Sequence, residues 1–267
     1  MRDSGSCKNW IGQPMSLAAL EGCCPTWAEF RRIHAFEAEV DVVATRRSGS
    51  FTRVFELTVV ETAGEIAILE RPVGNTLPAC CPDRHINPGG TFCLGLRAGE
   101  GISDRTAPAW WVKLHAFILL QETAAETGLW PSRAQLSHGD GADIELAAEV
   151  AAEQIGVLES YREAVAFNTG PIVVALAKIN QTSGLLRNGR SRCLCGRADR
   201  QGRPMLRRDC HRRGCPIVLE HKRRAKVADF WRSMSGQACC GTMQNCPLKV
   251  VAALVPDKRP PSSTVDL

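Results

Sequence analysis

Residues 71–101 hold Pro72, Pro78, Pro82 and Pro88 together with Gly74, Gly89, Gly90, Gly95, Gly99 and Gly101. Proline removes a backbone donor and glycine raises the cost of ordering, so this stretch excludes regular helix. A long irregular segment inside a compact domain is usually functional. Its flanks are of two kinds. Upstream, residues 38–44, 51–60 and 65–69 are β-rich and separated by turn-like gaps (47–50 and 62–64), which predicts an antiparallel meander. Before them, Leu17, Leu20, Trp27, Phe30 and Ile33 fall at mixed helical spacing, and residues 16–36 are read as an N-terminal helix restarting after Pro25. Downstream, Trp110, Leu114, Phe117, Ile118 and Gln121 mark a helix over 107–127, capped at Asp104 or Thr106 and stopped by Gly128. The order of elements predicts an α+β fold.

A second loop opens at Trp130-Pro131 and contains Ser137-His138-Gly139-Asp140-Gly141. An Ala/Glu-rich helix is expected over 143–166, with a break at Gly170-Pro171 and a short helix over 172–179. Asn188-Gly189-Arg190-Ser191 reads as a linker into a cysteine-rich tail, and residues 251–267 are expected to be disordered.

Cysteine is the residue whose distribution says most. Of thirteen cysteines, seven lie between Cys193 and Cys246. Disulfide scaffolds are short and secreted, and this chain opens on no apolar signal segment, so cytoplasm is the expected compartment and metal the expected use of the clustered thiols. Cys193-x-Cys195 is separated by fourteen residues from Cys210-His211, two short ligand pairs of the kind that hold a tetrahedral zinc ion, with Cys215 able to replace His211. The spacing resembles the SEC-C type of small zinc motif. Cys239, Cys240 and Cys246 form a second group, which His221 or Cys215 could complete, so one or two structural zinc ions are expected.

Charge follows the same division. Residues 187–226 carry a local net charge of +11, although the whole chain has only +5, which leaves the remainder acidic. An anionic partner of the tail, nucleic acid or an acidic protein face, competes with a merely solvated basic surface. Aromatic residues for base stacking are scarce there, which favours a protein-binding adaptor. No apolar run approaches the ~18 residues of a membrane span, so no membrane contact is expected.

Within the irregular segment, residues 85–96 read HINPGGTFCLGL. His85, Asn87, Gly90, Cys93 and Leu94 occur in the order found around the thioester cysteine of ubiquitin-conjugating enzymes. Leu77-Pro78 and Pro82 resemble the proline-rich flap of that family, and the helix over 107–121 stands where the family places the helix after its cysteine. Ile86 replaces the signature proline, and the His-to-Cys interval is two residues shorter than in the eukaryotic enzymes. The region from about Leu17 to Ala166 therefore resembles a divergent bacterial ubiquitin-conjugating enzyme.

This resemblance implies a conjugating-enzyme-like domain over 1–170, after which composition and cysteine spacing lead to a helical linker over 171–190 and a basic zinc-binding domain over 191–250. It implies a transferase in which Cys93 accepts a ubiquitin-like modifier from an activating enzyme as a thioester and passes it to an amine on a target protein. A thiol suits that task because it is nucleophilic near neutral pH and its thioester stays reactive toward amines. Asn87 is the candidate oxyanion donor. His85 is expected to tie the loop to backbone carbonyls, and His138, with Asp140 and Asp143 nearby, is the candidate acid or base. Cys80 and Cys81 carry no comparable signature. Against these stand a buried cysteine that acts as a small hydrophobe, a non-catalytic binding module on the same fold, and a cysteine hydrolase pairing Cys93 with His115 or His138.

Overall fold

The computed structural model describes residues 15–131, 136–180, 182, 191–207 and 214–249. The expected linker (apart from Ser191), the expected disordered end and the candidates Cys210 and His211 lie outside these residues. The chain divides into two compact units, residues 1–131 with 235–267, and residues 132–234.

The first unit begins with α1 (Met15–Gly22), followed by β1 (Ala28–His34), β2 (Glu37–Val42), β3 (Phe55–Thr62) and β4 (Glu65–Glu70). The four strands form one antiparallel sheet in the order β1-β2-β3-β4, so the meander is present with one strand more than expected. β1 replaces the helix read after Pro25. Cys23-Cys24-Pro25 ends α1 at its first turn-breaking point, and the backbone of β1 then finds partners on β2, from Ala28 opposite Val42 to His34 opposite Glu37. Phe30 and Ile33 are three apart, a spacing that a bulged strand satisfies as well as a helix does.

Alternation along the strands decides what is buried. Ala38, Val40 and Val42 on β2, Phe55, Leu57 and Val59 on β3, and Ile66 and Ile68 on β4 all enter the core. Ala63 and Gly64 both have positive φ, 53° and 82°, as the two-residue turn joining β3 to β4 requires. The core face is covered by α2 (Ala107–Thr127), through Trp110, Trp111, Leu114, Phe117 and Ile118. Trp111 also donates its indole N–H to the Leu20 carbonyl at 3.1 Å, which fixes α1 on α2. The stop is as expected: Gly128 adopts φ 66° and its N–H caps the Ala124 carbonyl.

The second unit is helical, with α3 (Gly141–Glu153), α4 (Leu158–Phe167), α5 (Gly170–Leu176) and α6 (Pro216–Ser233). The single helix expected over 143–166 is broken in two because Gly156 turns the chain at φ 71°. Ala148 and Ala152 on α3 then pack in one small core with Tyr161, Ala164, Ile172, Leu176 and Ile217. α6 was not anticipated. Its surface is rich in Lys and Arg, which masks the buried Ile217 and the buried Glu220–Arg223 ion pair at 2.6 Å. Among the described residues, no helix is long and apolar enough to cross a membrane.

Candidate active site

The irregular segment is built by successive local ties. The buried Glu70 carboxylate at the end of β4 accepts the N–H groups of Thr76 and Leu77, at 2.7 and 2.9 Å. Cys81 and Ile86 exchange backbone hydrogen bonds in both directions, 2.9 and 3.0 Å, around one turn of 3-10 helix (Pro82–Arg84). His85 closes that turn in the left-handed region at φ 56°. Arg84, almost wholly buried, fastens the turn to α2: its guanidinium donates to the Gln121 side chain and carbonyl, and the Gln121 amide donates to the Arg84 carbonyl. Burial pulls the Arg84 pKa down, and the directed contacts to Gln121 hold its guanidinium in place.

A tight turn follows, in which the Asn87 N–H reaches the Thr91 carbonyl and the Gly90 N–H the Asn87 carbonyl. A side chain at Gly90 would place Cβ 2.5 Å from a Val73 methyl. Phe92 then donates to the Ile68 carbonyl on β4, and Cys93 donates its N–H to the His85 carbonyl at 2.8 Å. Phe92 and Leu94 both turn inward, with Phe92 stacked on Phe117 at 4.8 Å. Alternation along an extended backbone therefore points Cys93 the other way. Its thiol is half-buried and lies in a groove of about 270 Å³ with Asn87, Trp110, the Glu65–Ile68 edge of β4 and the loop from Gly95 to Glu100. That loop presses so closely on β4 that a Cβ at Gly99 would fall 2.1 Å from the Ile66 carbonyl oxygen, while Gly99 itself accepts the Ile66 N–H at 2.9 Å.

Three of the sequence candidates thus come together. Asn87 is exposed on the rim of the groove, its amide within 3.3 Å of the Thr91 hydroxyl. His85 reaches Cys93 through its carbonyl, while its ring is buried against Trp130 with centroids 5.2 Å apart. His138 belongs to the other unit, where its ring stacks on Phe230 at 4.7 Å and meets Trp231 edge-on. Burial draws its pKa down to about 4. Asp140 pairs with Lys226 at 3.0 Å, and Asp143 stands in the first turn of α3. His115 receives the Thr45 N–H on its Nε2 at 3.1 Å and packs against Trp27, so the nitrogen that a hydrolytic dyad would need is already an acceptor.

The cysteines of the tail fall in both units. Cys193 and Cys195 open a small hairpin, closed by pairing of Arg192 with Leu206 and of Ala198 with Pro204, and Cys215 stands at the start of α6. Cys239, Cys240 and Cys246 return to the first unit. There the sulfur of Cys240 lies 3.0 Å from that of Cys81, a neighbour that sequence reasoning missed. The only signal was the doublet of vicinal cysteines, 80–81 and 239–240. Cys81 is buried and its sulfur is held against that of Cys240, which removes it as a rival nucleophile. Among the described residues, no three His, Cys, Asp or Glu side chains form a ready-made metal-holding group.

No curated protein and no solved structure matches the chain. Residues 29–132 match the family model described as the prokaryotic E2 domain, and residues 137–248 match that of a cysteine-rich domain C-terminal to the E2 domain. The chain therefore carries an E2-like, conjugating-enzyme-like domain followed by the cysteine-rich domain that accompanies it, a pairing consistent with a bacterial E2-like family.

Proposed function

We propose that this chain is a conjugating enzyme for a ubiquitin-like protein and that Cys93 carries the modifier. One observation bears most of the weight: the Cys93 thiol opens into a groove while its backbone is fixed between buried Phe92 and Leu94. The Cys93 thiolate attacks the thioester carbonyl that joins the modifier's C-terminus to an activating enzyme. A new thioester forms on Cys93 and the activating enzyme's thiol leaves. A target amine then attacks the same carbonyl, an amide forms, the Cys93 thiolate departs, and the amine's proton is released. The oxyanion of each tetrahedral intermediate needs a donor, and the Asn87 amide on the groove rim is positioned for that role once it turns from Thr91.

His138, whose pKa burial against Phe230 draws down to about 4, is neutral at pH 7 and would be a weak base, so the transfer routes no proton through it. In the tail, Cys193, Cys195, Cys210, His211 and Cys215 offer a thiolate-rich donor set that suits a closed structural zinc site. Zinc would supply order there and no step of the transfer. The basic surface of α6, with His221, Lys222 and Arg224, suits an acidic face of the activating enzyme, the modifier or a target.

The test is a charging reaction with the activating enzyme, the modifier and ATP. The wild-type chain should gain an adduct that thiol reductants remove, Cys93→Ser an adduct that resists them, and Cys93→Ala none. An adduct on Cys93→Ala would contradict the proposal.

A further inference from the structure

We propose that Cys81, Cys239, Cys240 and Cys246 bind one structural zinc ion, which staples the C-terminal segment to the turn that supports Cys93. This site draws one ligand from the E2-like domain itself, and it stands independently of the thioester reading.

The sulfurs come from segments more than 150 residues apart in sequence. Cys81 and Cys240 lie 3.0 Å apart, Cys239 adjoins Cys240 in the chain, and Cys239 is near enough to Cys246 to perturb its thiol. Cys81 and Cys246 are almost wholly buried. Two of these sulfurs also meet donors a short step along their own chain: Gly241 donates its N–H to Cys239 at 3.4 Å, and the Thr242 hydroxyl lies 3.1 Å from Cys240. Such donors are what a thiolate ligand requires to spread its charge, and a second shell of this kind orients ligands toward a metal. A thiol buried as a small hydrophobe has no use for them. Arg84, buried beside the cluster and 3.4 Å from the Thr242 hydroxyl, adds a positive charge that offsets part of the excess of four thiolates over a dication.

The sulfurs now stand as two pairs and not as a closed ligand set. At a Zn–S distance of about 2.3 Å, the sulfurs of a tetrahedral site lie roughly 3.8 Å apart. To hold the ion, Cys81 and Cys240 must therefore separate by less than an ångström, and Cys239 and Cys246 must turn toward them. Zinc is favoured over harder divalent ions because all four donors are sulfur.

The segment also needs an anchor. Within residues 235–249, the buried apolar side chains are Met243, Cys246 and Leu248, and the other ties to the unit are the contact from Arg84 to the Thr242 hydroxyl and two hydrogen bonds from Gln244, to the carbonyls of Gly128 and Thr127. A core this small is commonly completed by a metal. The consequence reaches the candidate active site through backbone alone. Cys81 is paired with Ile86, the next residue back, His85, offers its carbonyl to Cys93, and fixing Cys81 fixes that carbonyl.

The test uses the full-length chain purified with zinc and reductant. Elemental analysis should find about one zinc per chain fewer in Cys246→Ser and in Cys81→Ser than in wild type. Because serine at a buried position can impair folding, the wild-type chain is also alkylated under native conditions before and after chelation, and its peptides are mapped. Cys81, Cys239, Cys240 and Cys246 should become reactive together, only once zinc is removed. Equal alkylation with and without chelator, unchanged zinc in both folded variants, or a Cys81–Cys240 disulfide in the freshly purified reduced chain would overturn the site. Loss of charging at Cys93 would leave it untouched.

Discussion

Asn87 can be separated from Cys93 by what each does to a two-step reaction. The thiol is needed for both steps, whereas an oxyanion donor matters most where the amine attack is slow. Asn87→Ala should retain charging but slow single-turnover discharge to free lysine by about 100-fold. Equal losses in both steps would instead mark Asn87 as a keeper of the 87–91 turn. The order of residues in 85–96 pointed to this side chain, and the fold places it in the lining of the groove that holds Cys93. The role of His85 was legible only in part, since its carbonyl does what a ring was available to do. His138 makes a pH prediction. Its folded pKa, about 4, lies below the ordinary 6.5, so the unfolded chain binds the proton more readily. The stability it protects is full above pH 6.5 and is lost as pH falls toward 4. Allowing for the ring's remaining exposure, the loss is about 1–2 kcal/mol. Urea unfolding of His138→Phe should show a shallower acid decline between pH 6.5 and 4 than wild type, and parallel curves would refute the assignment.

The element on which the site depends most is the contact between β4 and the 95–100 loop. At Gly99, any Cβ meets the Ile66 carbonyl oxygen at 2.1 Å, and backbone cannot yield as a side chain can. Gly99→Ala should destabilise the chain by at least about 2 kcal/mol, whereas Gly22→Ala, with nothing within 4 Å of its new methyl, should change stability by less than about 0.5 kcal/mol. Equal midpoints in urea for the two variants would refute the close approach. At this scale the sequence was read well where punctuation was strong. α2 runs over the residues expected because Pro108 and Gly128 bracket it. β1 was misread because its apolar residues suit either period, and the pairing with β2 that decides between them is not local. α6 was missed because an abundance of charge concealed one buried face.

At the scale of the whole molecule, the sequence suggested a conjugating-type domain followed by a cysteine-rich one, and the two family models match in that order. What it did not suggest was the return of residues 235–249 to the first unit. Cys81 and Cys240 are too distant in the chain for spacing to pair them, and only the fold brings them together. The proposed transfer rests on one sulfur among thirteen cysteines. The most direct measurement is to charge Cys93→Ser and the wild-type chain with a modifier, digest both without reduction, and locate the modifier's C-terminus by peptide mass spectrometry. The account predicts a thioester to Cys93 in the wild type and an ester to the substituted position in the variant; a modifier found on any other cysteine, or on a lysine alone, would contradict it.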